Sequence, residues 1–334
     1  MQVASGQTLR PWRPRRRIRV AERPGLGCHP RVYPIIEVPD NAAELTEQLG
    51  AKPKFWFAGA DGSDWLFKEP RPASGEDWSE KVACELCALI GLPHARYELA
   101  LWRGRRGVVT PSFVPPGGRL AHGNELIAQV IEDYPTSQFF RVSQHTLGLV
   151  LDFMSLDGVK TPLWFVETEE LGCGADVFVG YLMLDAWIAN QDRHHENWGL
   201  VRLPRGTIHL APSYDHASSL GRNESDERRR SRLDTRDSGH TVEAYVRRAR
   251  SAFYGERGDR KPLSTLEAFN RAAQRRPTAA IAWLDRLSRV ETASVTGILQ
   301  DIPRDRTSET AAEFAHAILD ANRLRLLEAR RGLE

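Results

Sequence analysis

Residues 189–200 read ANQDRHHENWGL, which packs two His, an Asp, a Glu and two Asn into twelve positions. A zinc site of the HExxH kind needs its histidines four apart, so that both ligands fall on one face of a helix. His194 and His195 are adjacent, and on a helix they would point about 100° apart. The pair therefore does not make a metal site, and a metal-dependent hydrolase built on it is a weak competitor. His194 is expected to hold the loop by hydrogen bonding, and His195 to face solvent. The informative pair is Asp192 and Asn197, five residues apart. They follow an apolar run at helical spacing (175–191) and precede WGLVRLPRGTIHLAPSYDH (198–216), which reads as a hairpin around Pro204-Arg205-Gly206.

Phosphoryl transfer needs a carboxylate that accepts a hydroxyl proton and orients the nucleophile. It also needs side-chain oxygens for the Mg²⁺ that bridges the phosphates. In protein kinases the base and a metal-binding Asn lie five apart, and a metal-binding Asp follows one short hairpin later. Here the order is Asp192, Asn197, the hairpin, then Asp215 in PSYDHASSLG. A lone DxxxxN carries little weight; the ordered set on matching elements carries more. The charged stretch 221–239, GRNESDERRRSRLDTRDSG, reads as a loop and falls where an activation segment would.

Such a site needs a Lys on a strand and a carboxylate on the next helix. Lys68 lies on the second strand of KFWFAGADGSDWLFKEP (54–70), two alternating aromatic runs around a turn at Asp61-Gly62-Ser63. Glu80 and Glu85 are its candidate partners, and Glu80, near the helix start at 76–90, is preferred. The turn offers backbone N–H groups of Gly59 and Gly62 to phosphates, although a full GxGxxG is absent. Phe113 and Val114, in SFVPP, fall where two lobes would join and are candidates for an adenine ring. The bland alternatives are a solubilising edge-strand Lys and a plain linker.

The rest of the chain supports two lobes. Strands, one helix and a second hairpin (ARYELALW and GVVTPSFVP around RGRRG) fill 30–116, and helical patterns fill most of 117–334, at 123–134, 143–156, 175–191, 241–253, 264–274, 277–290 and 308–330. Residues 1–29 read as a basic tail or linker. With 334 residues, 41% of them hydrophobic, and net charge +2, the chain can bury a sizeable core and shows no bias toward nucleic acid. Only six of 46 basic residues are Lys, which makes each Lys worth a question. Cys84 and Cys87 form a CxxC, but at helical spacing and with no second pair, so they read as two small buried residues rather than a zinc half-site. Four Cys and no apolar leader suggest a reducing cytoplasm, and no run reaches the length of a membrane span.

NQDRHHEN followed by PSYDHASSLG, with FKEP and WSEKVACELCALIGLPHARYEL upstream, resembles the HipA-like serine/threonine kinases. These are bacterial proteins with a two-lobed α+β protein-kinase-like fold, best known as toxins of toxin–antitoxin pairs. The family loop N-x-D-R-H-x-x-N matches Asn190 through Asn197. The resemblance implies Asp192 as catalytic base, Asn197 and Asp215 as Mg²⁺ ligands, and Lys68 as the group that binds ATP phosphates. It further implies a protein Ser or Thr hydroxyl as acceptor and an antitoxin or DNA-binding protein as partner, while the near-neutral charge balance argues against direct nucleic-acid binding and the lack of a long apolar run against a membrane. The alternative is a catalytically silent kinase-like module that contacts protein or DNA.

Overall fold

Two aromatic runs build the first sheet. The computed structural model describes residues 32–45, 54–59 and 62–333; the basic tail with Cys28, and Asp61 of the first turn, lie outside them. Strands β2 (Lys54–Ala58) and β3 (Asp64–Lys68) pair antiparallel. β4 (Glu98–Trp102) and β5 (Arg105–Pro111) form the second hairpin, and β1 (Ile35–Val38) runs parallel to β4. Positive φ at both Arg103 and Gly104 makes the tight turn between β4 and β5, which suits the strand twist. The order is β1-β4-β5-β3-β2.

Alternation splits this sheet into two faces. Phe55, Phe67 and Val109 stand opposite one another and bury against Trp102, with the Phe55 and Trp102 rings 4.8 Å apart. The other face carries the rows Lys54–Lys68–Val108 and Trp56–Leu66–Thr110, all lining a cavity. Gly107 is needed beside them, because a Cβ there would lie 2.5 Å from the Phe67 ring and 2.6 Å from the Lys68 carbonyl.

Helix α1 (Glu76–Leu89) crosses the sheet, and the chain turns out of it at Gly91 (φ +65°). Its first turns are charged yet buried: Glu76, Asp77, Glu80 and Lys81 are each at most 7% exposed. Burial of charge requires partners, and they are present. Asp77 pairs with Arg106 (2.9 Å) and Arg306 (3.1 Å), and Lys81 with Glu85 and Glu98 (both 2.7 Å). Cys84 and Cys87 are buried free thiols on the same helix.

The second lobe is organised by α4 (Gly174–Ile188), which is apolar almost all round and therefore central. α7 (Thr265–Arg275), α8 (Pro277–Ser288) and α10 (Glu309–Arg330) pack on it, with Trp187 and Trp283 fully buried. Each such large apolar side chain contributes roughly 1.5–3 kcal/mol of burial. A second sheet, in the order β6-β8-β9-β7, joins β6 (Arg119–His122), β7 (Val159–Lys160), β8 (Gly199–Arg202) and β9 (Ile208–Leu210). The expected hairpin is thus β8–β9. Among the described residues no helix is long and apolar enough to cross a membrane.

Several expected helices differ. The one expected at 123–134 is α2, Gly123–Ile127. Turns follow it, in which Gln129 N and Val130 N bond to carbonyls three residues back and Asp133 takes a left-handed φ of 56°, and the Tyr134 hydroxyl binds His195. α3 (Leu147–Met154) starts later than 143 because Thr146 caps it, accepting from Leu149 N. The stretch 221–239 is not all loop. Ser225 caps α5 (Asp226–Asp234), whose first turn carries Asp226 and Glu227 in line with the helix dipole. α6 (Val242–Arg247) is short, and α9 (Thr292–Gln300), unread in the sequence, packs against α1 and α10.

Candidate functional site

α4 ends at Ala189 in the left-handed conformation (φ 54°), which swings the chain into the Asp192 loop. A non-glycine residue held there costs about 1–2 kcal/mol, so the loop must be fixed by other contacts. Asp185, the charged residue in the last turn of α4, supplies them. Its carboxylate accepts from Arg193 Nη2 (2.7 Å) and Nε (2.5 Å) and from Asn190 Nδ2 (2.8 Å), all buried. Arg193 also donates to the Asn197 carbonyl (3.2 Å), and Asn190 Oδ1 accepts from Asp192 N (3.2 Å). Asn197 closes the loop by donating Nδ2 to the Asp192 carbonyl at 2.6 Å. On the far side the Tyr214 hydroxyl donates to the Glu196 carbonyl (2.8 Å).

The histidines divide. His194 Nδ1 accepts from Glu196 N at 3.2 Å, the loop-holding bond expected of it, and its Nε2 lies 3.7 Å from Asp192 Oδ1. His195 is 1% exposed, so the expectation that it faces solvent is corrected. Tyr134 draws it inward through Nδ1 (2.7 Å), among Phe139 and His145. Burial first, then His194 and His122, push its pKa down to about 4. His145 behind it is pushed down to about 3, again chiefly by burial. Trp198 Nε1 donates to its Nε2 at 3.0 Å, which leaves the proton on Nδ1, 3.1 Å from the Ala252 carbonyl.

A cavity of about 810 Å³ gathers the candidate residues. Lys68, Glu80, Phe113, Val114, Asp192, Asn197 and Asp215 all line it. Lys68 Nζ pairs with Asp215 Oδ1 at 3.2 Å and donates to the Tyr97 hydroxyl at 3.3 Å. Burial alone lowers an ammonium's pKa, but Asp215, then Tyr97 and Glu80, outweigh it and hold Lys68 well above its ordinary value. Burial would likewise raise Asp215; Lys68, then Lys54, hold it well below the usual carboxylate range. Asp192 goes the other way. Burial, with Asp215 adding, raises it against the opposing pull of His194, Ser218 and Arg222. One carboxylate is thus kept ionised and the other made more basic, as separated acid–base roles require.

Two expectations are corrected. Lys68 pairs with Asp215 rather than Glu80, whose Oε1 accepts instead from the His216 backbone N–H at 2.7 Å. The amides of Gly59 and Gly62 do not reach the cavity: Gly59 N donates to the Ser63 carbonyl and Gly62 N to the Gly59 carbonyl, inside the turn. At the other end Phe113 stacks on Tyr214 (5.5 Å), and Val114 N donates to Ser112 Oγ (3.3 Å). Four participants went unread in the sequence: Lys54 opposite Lys68, Tyr97, Ser218 and Arg222. Ser218 Oγ donates to Asp192 Oδ2 (3.0 Å) and accepts from Arg222 Nη2 (2.9 Å). Asp185 was readable in principle, since a charge amid apolar residues on a central helix demands a buried partner.

No protein-family model matches the chain, and no curated protein matches it. Solved structures do. A proinflammatory kinase of Helicobacter pylori, CtkA, is 20% identical with TM-score 0.67, covering 90% of this chain and 98% of its own. HipA of Shewanella oneidensis MR-1, solved with HipB and operator DNA, is 11% identical with TM-score 0.53, covering 86% of this chain and 67% of its own. The chain therefore has the two-lobed α+β fold of the HipA-like kinases.

Proposed function

We propose that the protein is an ATP- and Mg²⁺-dependent phosphotransferase that moves the γ-phosphate of ATP to a Ser or Thr hydroxyl of a protein. The observation that carries this reading is the pairing of opposite carboxylates in one cavity. Asp215 is held ionised by Lys68 at 3.2 Å, and beside it Asp192 is made more basic by burial. Asp192 accepts the proton of the acceptor hydroxyl, and burial tunes it toward the working pH, as suits a general base. Its Oδ2 takes one hydrogen bond from Ser218, and its buried Oδ1 has no hydrogen-bond partner. Lys68 and Lys54, adjacent across the β2–β3 pair, are like charges that cost stability unless an anion lies near. Asp215 supplies one such charge, and nucleotide phosphates supply more.

The donor set suits a hard cation. Asp215 contributes carboxylate oxygens, and Asn197, its Nδ2 already committed to Asp192 O, contributes Oδ1. Among the described residues no three His, Cys, Asp or Glu side chains group to hold a metal by themselves. Mg²⁺ usually takes one or two carboxylates and completes its shell with phosphates and water. Bound there, Mg²⁺ would neutralise charge on the transferring phosphate. Lys68 would then exchange Asp215 for phosphate oxygens. From the likeness to HipA, which was solved with HipB and operator DNA, we extend a DNA-binding protein partner, of the antitoxin kind, to this chain.

Calorimetry with ATP tests the reading. Wild type is expected to bind ATP with Mg²⁺, and at least about tenfold more weakly for Lys68→Ala or Asp215→Asn, each of which removes a charged contact. Affinity independent of Mg²⁺ and of both residues would refute it.

A further inference from the structure

Glu76 and Glu80 lie four residues apart on α1, and both are buried. Neither pairs with Lys68; both reach the segment that follows the second sheet. Glu80 Oε1 accepts from His216 N (2.7 Å) and lies 3.3 Å from His216 Nδ1, while His216 Nε2 is hydrogen-bonded to Ser213 Oγ (2.7 Å). His216 directly follows Asp215. Glu76 Oε1 accepts from Arg222 Nη1 (2.9 Å), whose Nη2 donates to Ser218 Oγ, which in turn donates to Asp192 Oδ2. Between them, Ser79 Oγ donates to the Ala217 carbonyl at 2.6 Å and Gly75 N to the Arg222 carbonyl at 3.4 Å.

We propose that Glu76 and Glu80 are positioning residues through which α1 sets the two working carboxylates together: Glu80 sets Asp215 by holding the next backbone N–H, and Glu76 sets Asp192 through Arg222 and Ser218. Stability alone accounts poorly for this arrangement. Glu80 Oε2 and His216 Nδ1 are buried without hydrogen-bond partners, and a buried carboxylate with an idle oxygen costs folding free energy. Asp215 (φ 60°) and Leu220 (φ 55°) both sit in the left-handed region, so the segment needs outside contacts to keep its course. Two carboxylates one turn apart, gripping positions 216 and 222, provide those contacts.

The proposal assigns positions within the phosphotransfer site and rests on that reading, so its test has one arm that needs no activity. Hydrogen exchange is followed across 213–222 in wild type, Glu80→Ala, Glu80→Gln and Glu76→Gln. Exchange is expected to quicken about tenfold in Glu80→Ala, and to stay near wild type in Glu80→Gln, whose amide oxygen still accepts from His216 N. The second arm is transfer kinetics. Glu80→Ala should raise the Mg²⁺ concentration for half-maximal rate about tenfold, with Glu80→Gln restoring it. Glu76→Gln should lower kcat several-fold, on the order of one weakened charged hydrogen bond, with the Mg²⁺ requirement unchanged. Unchanged exchange in natively folded Glu80→Ala would overturn the proposal, as would two variants that shift both kinetic parameters alike. If wild type transfers no phosphate, the phosphotransfer reading falls, and the exchange arm still decides whether α1 holds the segment.

Discussion

The loop at 189–197 and the segment at 213–222 each carry one of the site's two carboxylates, and they are held from opposite sides. The first is locked inside its own lobe: Asp185 on α4 grips Arg193 and Asn190, and every one of those groups is buried. The second leans on the other lobe, through Glu76, Ser79 and Glu80 of α1. Asp192 belongs to the rigid loop, yet its Oδ2 reaches across to Ser218. The Asp192 backbone N–H is held from within its own lobe by Asn190 Oδ1, and its carboxylate is linked to α1 through Ser218, Arg222 and Glu76. A buried charged pair within one lobe serves rigidity; a hydrogen-bonded chain between lobes serves alignment.

The strongest attempt to break this comparison is Arg193→Ala. It strands the Asp185 carboxylate, 2% exposed, with only Asn190 Nδ2, and should cost about 3–5 kcal/mol in denaturant unfolding. Arg222→Ala is its counterpart. Glu76 keeps contact with Arg71, whose backbone N–H donates to Glu76 Oε2 (2.9 Å), so the loss should be smaller, about 1–2 kcal/mol. Equal losses would remove the distinction between the regions.

A weaker effect separates the regions by pH. His195 and His145 back the rigid loop and are neutral when folded, with pKa values pushed down to about 4 and about 3. Unfolded histidines take protons near pH 6.5. The unfolded state therefore binds more protons below that point, and stability falls as pH drops from about 6.5 toward 4. For His195 the loss by pH 5 is on the order of 2 kcal/mol. Asp215 has the opposite placement: its folded pKa is depressed, so its contribution is complete above about pH 3.9 and is lost only in stronger acid. The gap between urea midpoints at pH 7 and pH 5 should thus narrow by about half in His195→Gln, the His145 share remaining. An unchanged drop in that variant would mean the pH sensitivity lies elsewhere.

What could be read from the sequence followed from local pattern. The hairpins β2–β3, β4–β5 and β8–β9 announce themselves by alternation and turn residues, and α1 by its stop at Gly91. Asp192, Asn197 and Asp215 stand out by their spacing and Lys68 by its place on the second strand of a hairpin, and the fold brings all four to one cavity. What could not be read depends on partners distant in the chain. β6 is four residues, RLAH, with no strand-favouring bias, and exists because β8 pairs with it. His195 looks polar and local, but Tyr134, 61 positions away, takes it inside. Glu80 sits where a Lys68 partner would be sought, and only the course of 213–222 shows that His216 N claims it. Ser218 and Arg222 hid in a stretch whose charges suggested an open loop, whereas Arg222 is 6% exposed.

The central claim is that Asp192 accepts the proton during phosphate transfer. It is tested most directly by following γ-phosphate transfer from labelled ATP, with Mg²⁺, in wild type and Asp192→Asn. The account predicts a rate lower by about 10²–10⁴ in the variant, with Mg·ATP affinity and unfolding temperature near wild type, since Asn preserves the loop's backbone bonds. Equal transfer by the two proteins would contradict it.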